Sequence, residues 1–100
     1  MEIEKHLAEG VYDVTLRGEF AFSDHLAFGE VLQKIGESDV REIVLHMSGV
    51  LFVDSAALGL LLLARDESLK HQKRIVISGA DGQVKKMFEM ARFDTLFVMR

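Results

Sequence analysis

The sequence predicts an α/β domain with a mainly parallel β-sheet, and three observations support this class. Short apolar segments that are typical of buried strands alternate with longer segments in which apolar residues recur at helical spacing. Glycines separate most of these segments, where turns are expected. The chain has 100 residues, an ordinary length for one domain, so we expect a single domain over residues 1–100.

The chain is predicted to begin with an antiparallel hairpin. A weak strand covers Glu2–Leu7, and Glu9 and Gly10 form a tight turn. From Tyr12 to Arg17 apolar and polar residues alternate, which is typical of a strand with one face in water. We expect Gly18 to end this second strand.

The first helix is predicted to start at Ser23. This serine is expected to be the N-cap, with Asp24 in the first turn, where the helix dipole favours a negative charge. Gly36 is expected to end the helix. Between these two ends apolar residues recur at helical spacing, at Phe28, Val31, Leu32 and Ile35.

The next segment is predicted to be a central strand. Glu42–Met47 contains a continuous apolar run, as expected for a strand that is buried on both faces. Ser48 and Gly49 are expected to break this strand, which leaves Val50–Val53 as a short connector.

The most apolar helix of the chain is predicted to open at Asp54 and Ser55. It includes Ala56–Ala64 and continues to His71. Leucine and alanine are strong helix formers, and nine consecutive apolar residues suit a helix that is buried on most sides.

The remaining segments complete the order β-β-α-β-α-β-α-β. Arg74–Ser78 is predicted to be a buried strand, and Asp81 is predicted to cap a third helix. Leu96–Met99 is predicted to be the last strand. Alternation of this kind is typical of parallel β-α units.

Composition excludes several classes of protein. Because there is no cysteine, a disulfide scaffold, a thiolate zinc site and a cysteine nucleophile are excluded. The formal net charge of −4 argues against a nucleic-acid-binding protein, whose surface is usually basic. No apolar run approaches the ~18 residues needed to span a bilayer, so no membrane insertion is expected. The first residues do not resemble a secretory signal, so we expect a cytoplasmic location.

Three helix starts are expected to meet at one edge of the sheet. In parallel β-α units, the carboxyl ends of the strands and the amino ends of the following helices share an edge. Ser23–Asp24, Asp54–Ser55 and Ser78–Asp81 therefore cluster there. Ser55 is either a simple N-cap, which is the commoner role for a serine at a helix start, or an acceptor for a phosphoryl group. Free backbone N–H groups and the helix dipole favour an anion at this position.

The segment Leu51–Gly59 resembles the signature of STAS-domain proteins of the anti-sigma factor antagonist family. In that signature, apolar residues precede an aspartate, a serine and a small-residue helix start. Arg41–Leu45 resembles the family's strand before the signature, Val84–Met90 resembles its late helix, and Leu16–Glu19 fits its opening. The resemblance covers nearly the whole chain and implies a STAS-like fold.

The resemblance implies a non-enzymatic switch without a cofactor or a metal. Such proteins bind an anti-sigma factor, often a serine-protein kinase, and thereby release a sigma factor. Phosphorylation of the serine after the signature aspartate breaks the complex, and a PP2C-type phosphatase restores it. By position, Ser55 is this serine and Asp54 this aspartate. We expect a monomer or weak dimer whose partner-binding surface includes Asp54, Ser55, Ala56, Ala57, Leu58, Ser23 and Asp24.

Three positions differ from the usual signature and bear on which partner is recognised. Ala56 replaces a second serine, Ala57 replaces a glycine, and Ala21 stands where many members carry an acidic residue. The leucines at 58, 61 and 62 are expected either to extend the partner surface or to pack on the sheet, and packing is expected for at least two of them.

Other functions remain as alternatives. The chain is also compatible with a STAS subunit of a transporter ATPase, or of a stress-signalling scaffold, that is not phosphorylated. An acyl carrier protein also has a serine at a helix start, but its domain is a helical bundle and lacks the strands predicted here. A serine hydrolase is disfavoured because Val53 and Ala57 occupy the glycine positions of the Gly-x-Ser-x-Gly motif. A metal site is disfavoured because the histidines lie far apart, at His6, His25, His46 and His71.

Overall fold

The computed structural model describes all 100 residues and contains five strands and three α-helices. Their order is the predicted β-β-α-β-α-β-α-β. Short 3-10 helices at Phe22–Asp24 and Phe93–Thr95 precede the first α-helix and the last strand. The elements are β1 (Glu2–Ala8), β2 (Val11–Phe20), α1 (His25–Ile35), β3 (Glu42–Val53), α2 (Ser55–Lys70), β4 (Arg74–Ser78), α3 (Gly82–Met90) and β5 (Val98–Met99).

The five strands form one sheet in the order β1-β2-β3-β4-β5. β1 pairs antiparallel with β2, as predicted, and every other neighbouring pair is parallel. Tyr12, near the start of β2, lies opposite Leu7 of β1 and Ile43 of β3. The carboxyl ends of β2, β3 and β4 therefore share one edge, and α1, α2 and α3 begin after these ends.

Two strands are longer than predicted. β2 continues beyond Gly18 to Phe20, and β3 continues through Ser48 and Gly49 to Val53, so the predicted connector belongs to the strand. The pairing of β2 with β3 shifts register between Thr15 and Arg17 and again between Gly18 and Glu19. These irregularities accommodate Gly18 at a φ of 95°. A Cβ at position 49 would lie 2.9 Å from the Arg17 side chain, so Gly49 permits a close approach instead of ending the strand.

One hydrophobic cluster joins all three α-helices to the sheet. It includes Phe28 of α1, Leu61 of α2 and Phe88 of α3, together with Leu45 of β3. The other face of the sheet carries polar side chains, such as His46 of β3, whose Nε2 lies 2.7 Å from Asp13 Oδ1. The two faces of the sheet therefore differ in polarity, as the alternation in β2 predicts.

The apolar helix α2 is buried on one side only, which corrects the predicted burial on most sides. Its buried residues are Ala57, Leu61, Ala64 and Ser68, whereas Leu63 is half exposed. The three- and four-residue spacing of the buried positions defines a single stripe that faces the core. No helix of the chain is both long enough and apolar enough to cross a membrane.

The ends of several elements differ from the sequence prediction. The N-cap of α1 is Asp24, because Ser23 lies inside the 3-10 helix that precedes it. Gly36 follows α1 and Asp81 precedes α3, both as predicted. The last strand is shorter than Leu96–Met99, because the backbone N–H groups of residues 96 and 97 donate to the carbonyl of Phe93.

Candidate functional site

The candidate site lies where β3 ends and α2 begins. Ser55 is the first residue of α2 and is exposed. Its hydroxyl makes no hydrogen bond with the rest of the chain, and the side-chain hydrogen bonds of the histidines go to Phe22 and Asp13. Of the two roles considered for Ser55, the N-cap role is filled by its neighbour, because Asp54 is the N-cap of α2. The Ser55 hydroxyl is therefore accessible to solvent and is not held by any hydrogen bond of the fold.

Asp54 holds two segments together at this edge. Its Oδ1 accepts a hydrogen bond from the Ala57 N–H at 2.8 Å, which caps α2. Its Oδ2 accepts from the Phe22 N–H at 3.2 Å, in the 3-10 helix before α1. The Asp54 N–H in turn donates to the Phe20 carbonyl at 3.2 Å. The carboxylate thus fixes the start of α2 against the 3-10 helix before α1, and the backbone N–H fixes it to the end of β2.

Replacing Asp54 with alanine is expected to lower the free energy of unfolding by about 2–3 kcal/mol. The loss combines a helix cap, worth ~0.5–2 kcal/mol, with a hydrogen bond to a charged group. Ser55→Ala is the matched control and should change stability by less than about 0.5 kcal/mol, because its hydroxyl is free. Urea unfolding of the two variants measures the difference. A loss for Ser55→Ala as large as that for Asp54→Ala would mean that Ser55 contributes to the cap.

The two predicted site residues at the start of the first helix, Ser23 and Asp24, differ in burial and in their contacts. Ser23 is exposed and makes no side-chain hydrogen bond. Asp24 is largely buried, and its Oδ2 accepts from the Ala21 N–H at 2.9 Å. Its Oδ1 lies 3.4 Å from the terminal ammonium of Met1. Asp24 therefore stabilises the turn that ends at α1, whereas Ser23 belongs to the accessible surface.

The small and apolar residues after Ser55 divide between surface and core. Ala57 is fully buried, so its side chain does not belong to the surface as predicted, whereas the burial of Leu61 agrees with the expectation that at least two of the three leucines pack. Ala56, Leu58 and Leu62 are partly buried, and the two leucines pack against the core. The accessible part of the predicted set is therefore smaller than the sequence indicated.

Sequence reasoning missed Gln83 of α3. Its side-chain amide bonds to both backbone groups of Val53, accepting from the N–H at 3.1 Å and donating to the carbonyl at 3.2 Å. The last residue of β3 is thereby joined to α3. No local pattern identifies such a contact, since it joins residues 30 positions apart.

Sequence reasoning also missed a set of exposed apolar side chains near these helix starts. Phe22 is 64% exposed and stacks on His25, with ring centroids 4.7 Å apart. Phe22 is also the residue whose N–H reaches Asp54. The sequence did contain a signal for these exposed side chains, because the segment before α1 is unusually apolar. We call the following set the apolar edge: Phe22, Leu26, Leu51 and Phe52, all exposed.

The architecture defines a small α/β domain with a serine at the start of a helix that follows a central parallel strand. A family model described as "Mlab, STAS domain" matches residues 4–99. The chain belongs to this STAS-domain family. The five-stranded sheet also excludes the helical bundle of an acyl carrier domain.

Known proteins are similar to the chain over most of its length. A STAS-domain containing protein of Pseudomonas aeruginosa is 27% identical over 84 residues, which is 84% of this chain and 82% of the relative. An anti-sigma factor antagonist from Mycobacterium paratuberculosis has a similar structure, with a TM-score of 0.84 at 16% identity, covering 98% of this chain and 83% of that one.

Two further structures show the range of proteins that share this fold. The Bacillus cell fate determinant SpoIIAA, solved in its phosphorylated form, has a TM-score of 0.74 at 18% identity, covering 99% of this chain and 91% of its own. A sulfate transporter family protein from Wolinella succinogenes has a TM-score of 0.78 at 20% identity, covering 95% and 80%. The fold is thus shared by anti-sigma factor antagonists and a transporter family protein.

Proposed function

We propose that the chain is a non-enzymatic anti-sigma factor antagonist that is switched by phosphorylation of Ser55. The observation that carries this proposal is the free, exposed hydroxyl of Ser55 beside an aspartate that already caps the helix. A kinase can modify only a hydroxyl that it can reach. The modification leaves the fold intact only if that hydroxyl has no structural role. Ser55 meets both conditions because Asp54 supplies the cap.

The start of α2 is suited to carry a phosphate without unfolding. The first N–H groups of a helix lack partners within the helix, and the dipole favours an anion there. A phosphoserine would add about −1.5 to −2 charges at this point. The core beneath the start of α2 is apolar and contains the buried residues Ala57 and Leu61. A phosphate at the surface would not contact them. The modification therefore acts on a docked protein and leaves the fold in place.

A protein partner is supported by the apolar edge. Exposed phenylalanine and leucine side chains that are held on a folded edge are typical of protein–protein contact sites. The proposed partner surface includes Ser55 itself, so one phosphate is positioned to oppose docking. It consists of the apolar edge together with Ser23, Asp54, Ser55, Ala56 and Leu58.

The proposed partner is an anti-sigma factor that is also a serine-protein kinase, and a PP2C-type phosphatase removes the phosphate. The support is the resemblance of Leu51–Gly59 to the family signature, together with a structural relative that was solved in a phosphorylated form. Because a kinase partner uses ATP, the proposal includes a cytoplasmic location. No cofactor or metal takes part in the proposed exchange.

Phosphorylation at Ser55 is expected to appear in the intact mass of the chain purified from its own cells with phosphatase inhibitors. Wild type should carry the mass of one phosphate in part of the population, and Ser55→Ala should carry none. Ser23→Ala is the matched control, since Ser23 is also exposed, and should be phosphorylated like wild type. Phosphate on Ser23→Ala and Ser55→Ala alike, or a phosphopantetheine mass on Ser55, would contradict the proposal.

A second candidate function is that of a STAS subunit in a transport system, which needs no phosphorylation. The similarity to a sulfate transporter family protein favours it. Affinity purification of the wild-type chain from its own cells separates the two candidates. Recovery of an anti-sigma factor supports the switch, whereas recovery of a transporter ATPase without any anti-sigma factor supports the transport role.

A further inference from the structure

A cleft between the β1–β2 hairpin and α1 is not part of the Ser55 site. Its volume is about 520 Å³, within the range of small-molecule sites, and it is open to solvent. The hairpin side consists of Lys5, Leu7 and Tyr12, and we call the cavity the Tyr12 cleft. Tyr12 lies near the start of β2, so the cleft lies toward the edge of the sheet opposite to Ser55.

The Tyr12 ring is buried, whereas its hydroxyl opens into the cleft and has no partner within the chain. Tyr12 is only 3% exposed and packs into the core, yet its hydroxyl makes no hydrogen bond with the rest of the chain. Burial raises the pKa of this phenol above its ordinary value of 10.0, although Lys5 and Lys34 oppose the shift. The group therefore stays neutral and has an O–H to donate. Because the hydroxyl is not enclosed and makes no hydrogen bond with the chain, its O–H is free to donate to a ligand in the cleft.

The charges that line the cleft are balanced and alternate in sign. Lys5 Nζ lies 2.9 Å from Glu30 Oε2 across the cleft. Lys34 Nζ lies 3.0 Å from Glu37 Oε2, and hydrogen bonds with Glu37 and Asp39 raise the pKa of Lys34. Two ammonium and two carboxylate groups thus line the cleft with zero net formal charge. A ligand with one sign of charge would meet repulsion from two of the four groups.

We propose that the Tyr12 cleft binds a small zwitterionic molecule of the amino acid class. The ligand carboxylate would accept hydrogen bonds from the Tyr12 hydroxyl and from Lys5, whose ammonium has donors beyond the one used by Glu30. The ligand ammonium would donate to Glu30 and Glu37. The amide of Gln33, which makes no other hydrogen bond, supplies both a donor and an acceptor, and Leu7 supplies an apolar wall.

The sequence supplies a direct probe of this site. Tyr12 is the only tyrosine, and the chain has no tryptophan, so its intrinsic fluorescence comes from the floor of the cleft. We would titrate the full chain with L-serine, L-leucine, L-methionine and L-phenylalanine at millimolar concentrations. Binding of phenylalanine is followed by NMR alone, because its ring also absorbs ultraviolet light. Each amino acid is compared with its N-acetyl derivative, which is only an anion, and with its amide, which is only a cation.

At least one free amino acid is expected to give a saturable change in tyrosine fluorescence, with backbone NMR shifts concentrated at Lys5, Leu7 and Gln33. Its N-acetyl and amide derivatives should bind at least about tenfold more weakly, as expected when a hydrogen bond to a charged group is lost. Equal binding of all three forms, shifts spread over the surface, or no saturable binding by any of the four would overturn the proposal.

Variants separate specific binding from a general effect on the fold. Tyr12→Phe removes only the hydroxyl and should weaken binding about tenfold by NMR, while the NMR spectrum shows an intact fold. Lys5→Gln should weaken binding in the same way, whereas Lys70→Gln, on the exposed end of α2, should not. Unchanged affinity in both Tyr12→Phe and Lys5→Gln would overturn the proposal, whatever role Ser55 has.

Discussion

Replacing Ser55 with glutamate is expected to weaken binding of the proposed anti-sigma factor at least about a hundredfold. The new carboxylate lies at the exposed start of α2, within the proposed partner surface. A partner that covers it must remove water from the charge, and an acidic group opposite it adds several kcal/mol of repulsion. Each 1.4 kcal/mol corresponds to a factor of ten in affinity, so about 3 kcal/mol is sufficient for this loss.

Three comparisons make the Ser55→Glu experiment specific. Ser55→Gln has nearly the same size without the charge and should keep most of the affinity. Ser23→Glu adds the same charge at the neighbouring helix start and tests how sharply the effect depends on position. Calorimetry with the purified partner measures all of these, and the phosphorylated wild-type chain checks that glutamate is a fair mimic. Undiminished binding of the phosphorylated chain would rule out the switch.

Replacing Phe28 with alanine is expected to lower the free energy of unfolding by about 3–5 kcal/mol. Phe28 is fully buried in α1, and its ring lies 5.1 Å from that of Phe20, centroid to centroid. Phe20 in turn provides the carbonyl that accepts the Asp54 N–H. Because domains of this size are stable by only about 5–15 kcal/mol, the variant should lose a large fraction of its stability.

Leu26→Ala is the matched control on the same helix. Leu26 is 77% exposed, so its loss should change stability by less than about 0.5 kcal/mol. In the proposed function this variant should nevertheless weaken partner binding, because Leu26 belongs to the apolar edge. Urea unfolding of both variants tests the difference in stability. Similar losses for Phe28→Ala and Leu26→Ala would contradict the packing described for α1.

The sequence predicted the order of elements well because that order depends on local periodicity. The alternation from Tyr12 to Arg17 and the apolar run in Glu42–Met47 each follow from which faces are buried. The continuation of β2 and β3 past their glycines was missed. It depends on register shifts between the two strands, and these are set by a partner that lies about 30 residues away along the chain.

The helix start that forms the candidate site follows from the predicted order of elements, but the contacts of its residues were not all predictable. Aspartate and serine are both good N-caps, so composition alone does not decide between Asp54 and Ser55. The decision depends on Asp54 also accepting the Phe22 N–H, a contact between residues 32 positions apart. The contact of Gln83 with Val53 is equally distant. Periodicity does not report such long-range hydrogen bonds.

The two outer strands of the sheet affect the tendency of the chain to aggregate at high concentration. Outer strands expose unpaired backbone groups, which are a common route to aggregation. β1 carries charged side chains at Glu2, Glu4 and Lys5, and β5 has only two residues. Charge and shortness both discourage another chain from adding a strand there. Self-assembly through the sheet is thereby disfavoured, which leaves the helix side as the surface through which the chain would meet other proteins.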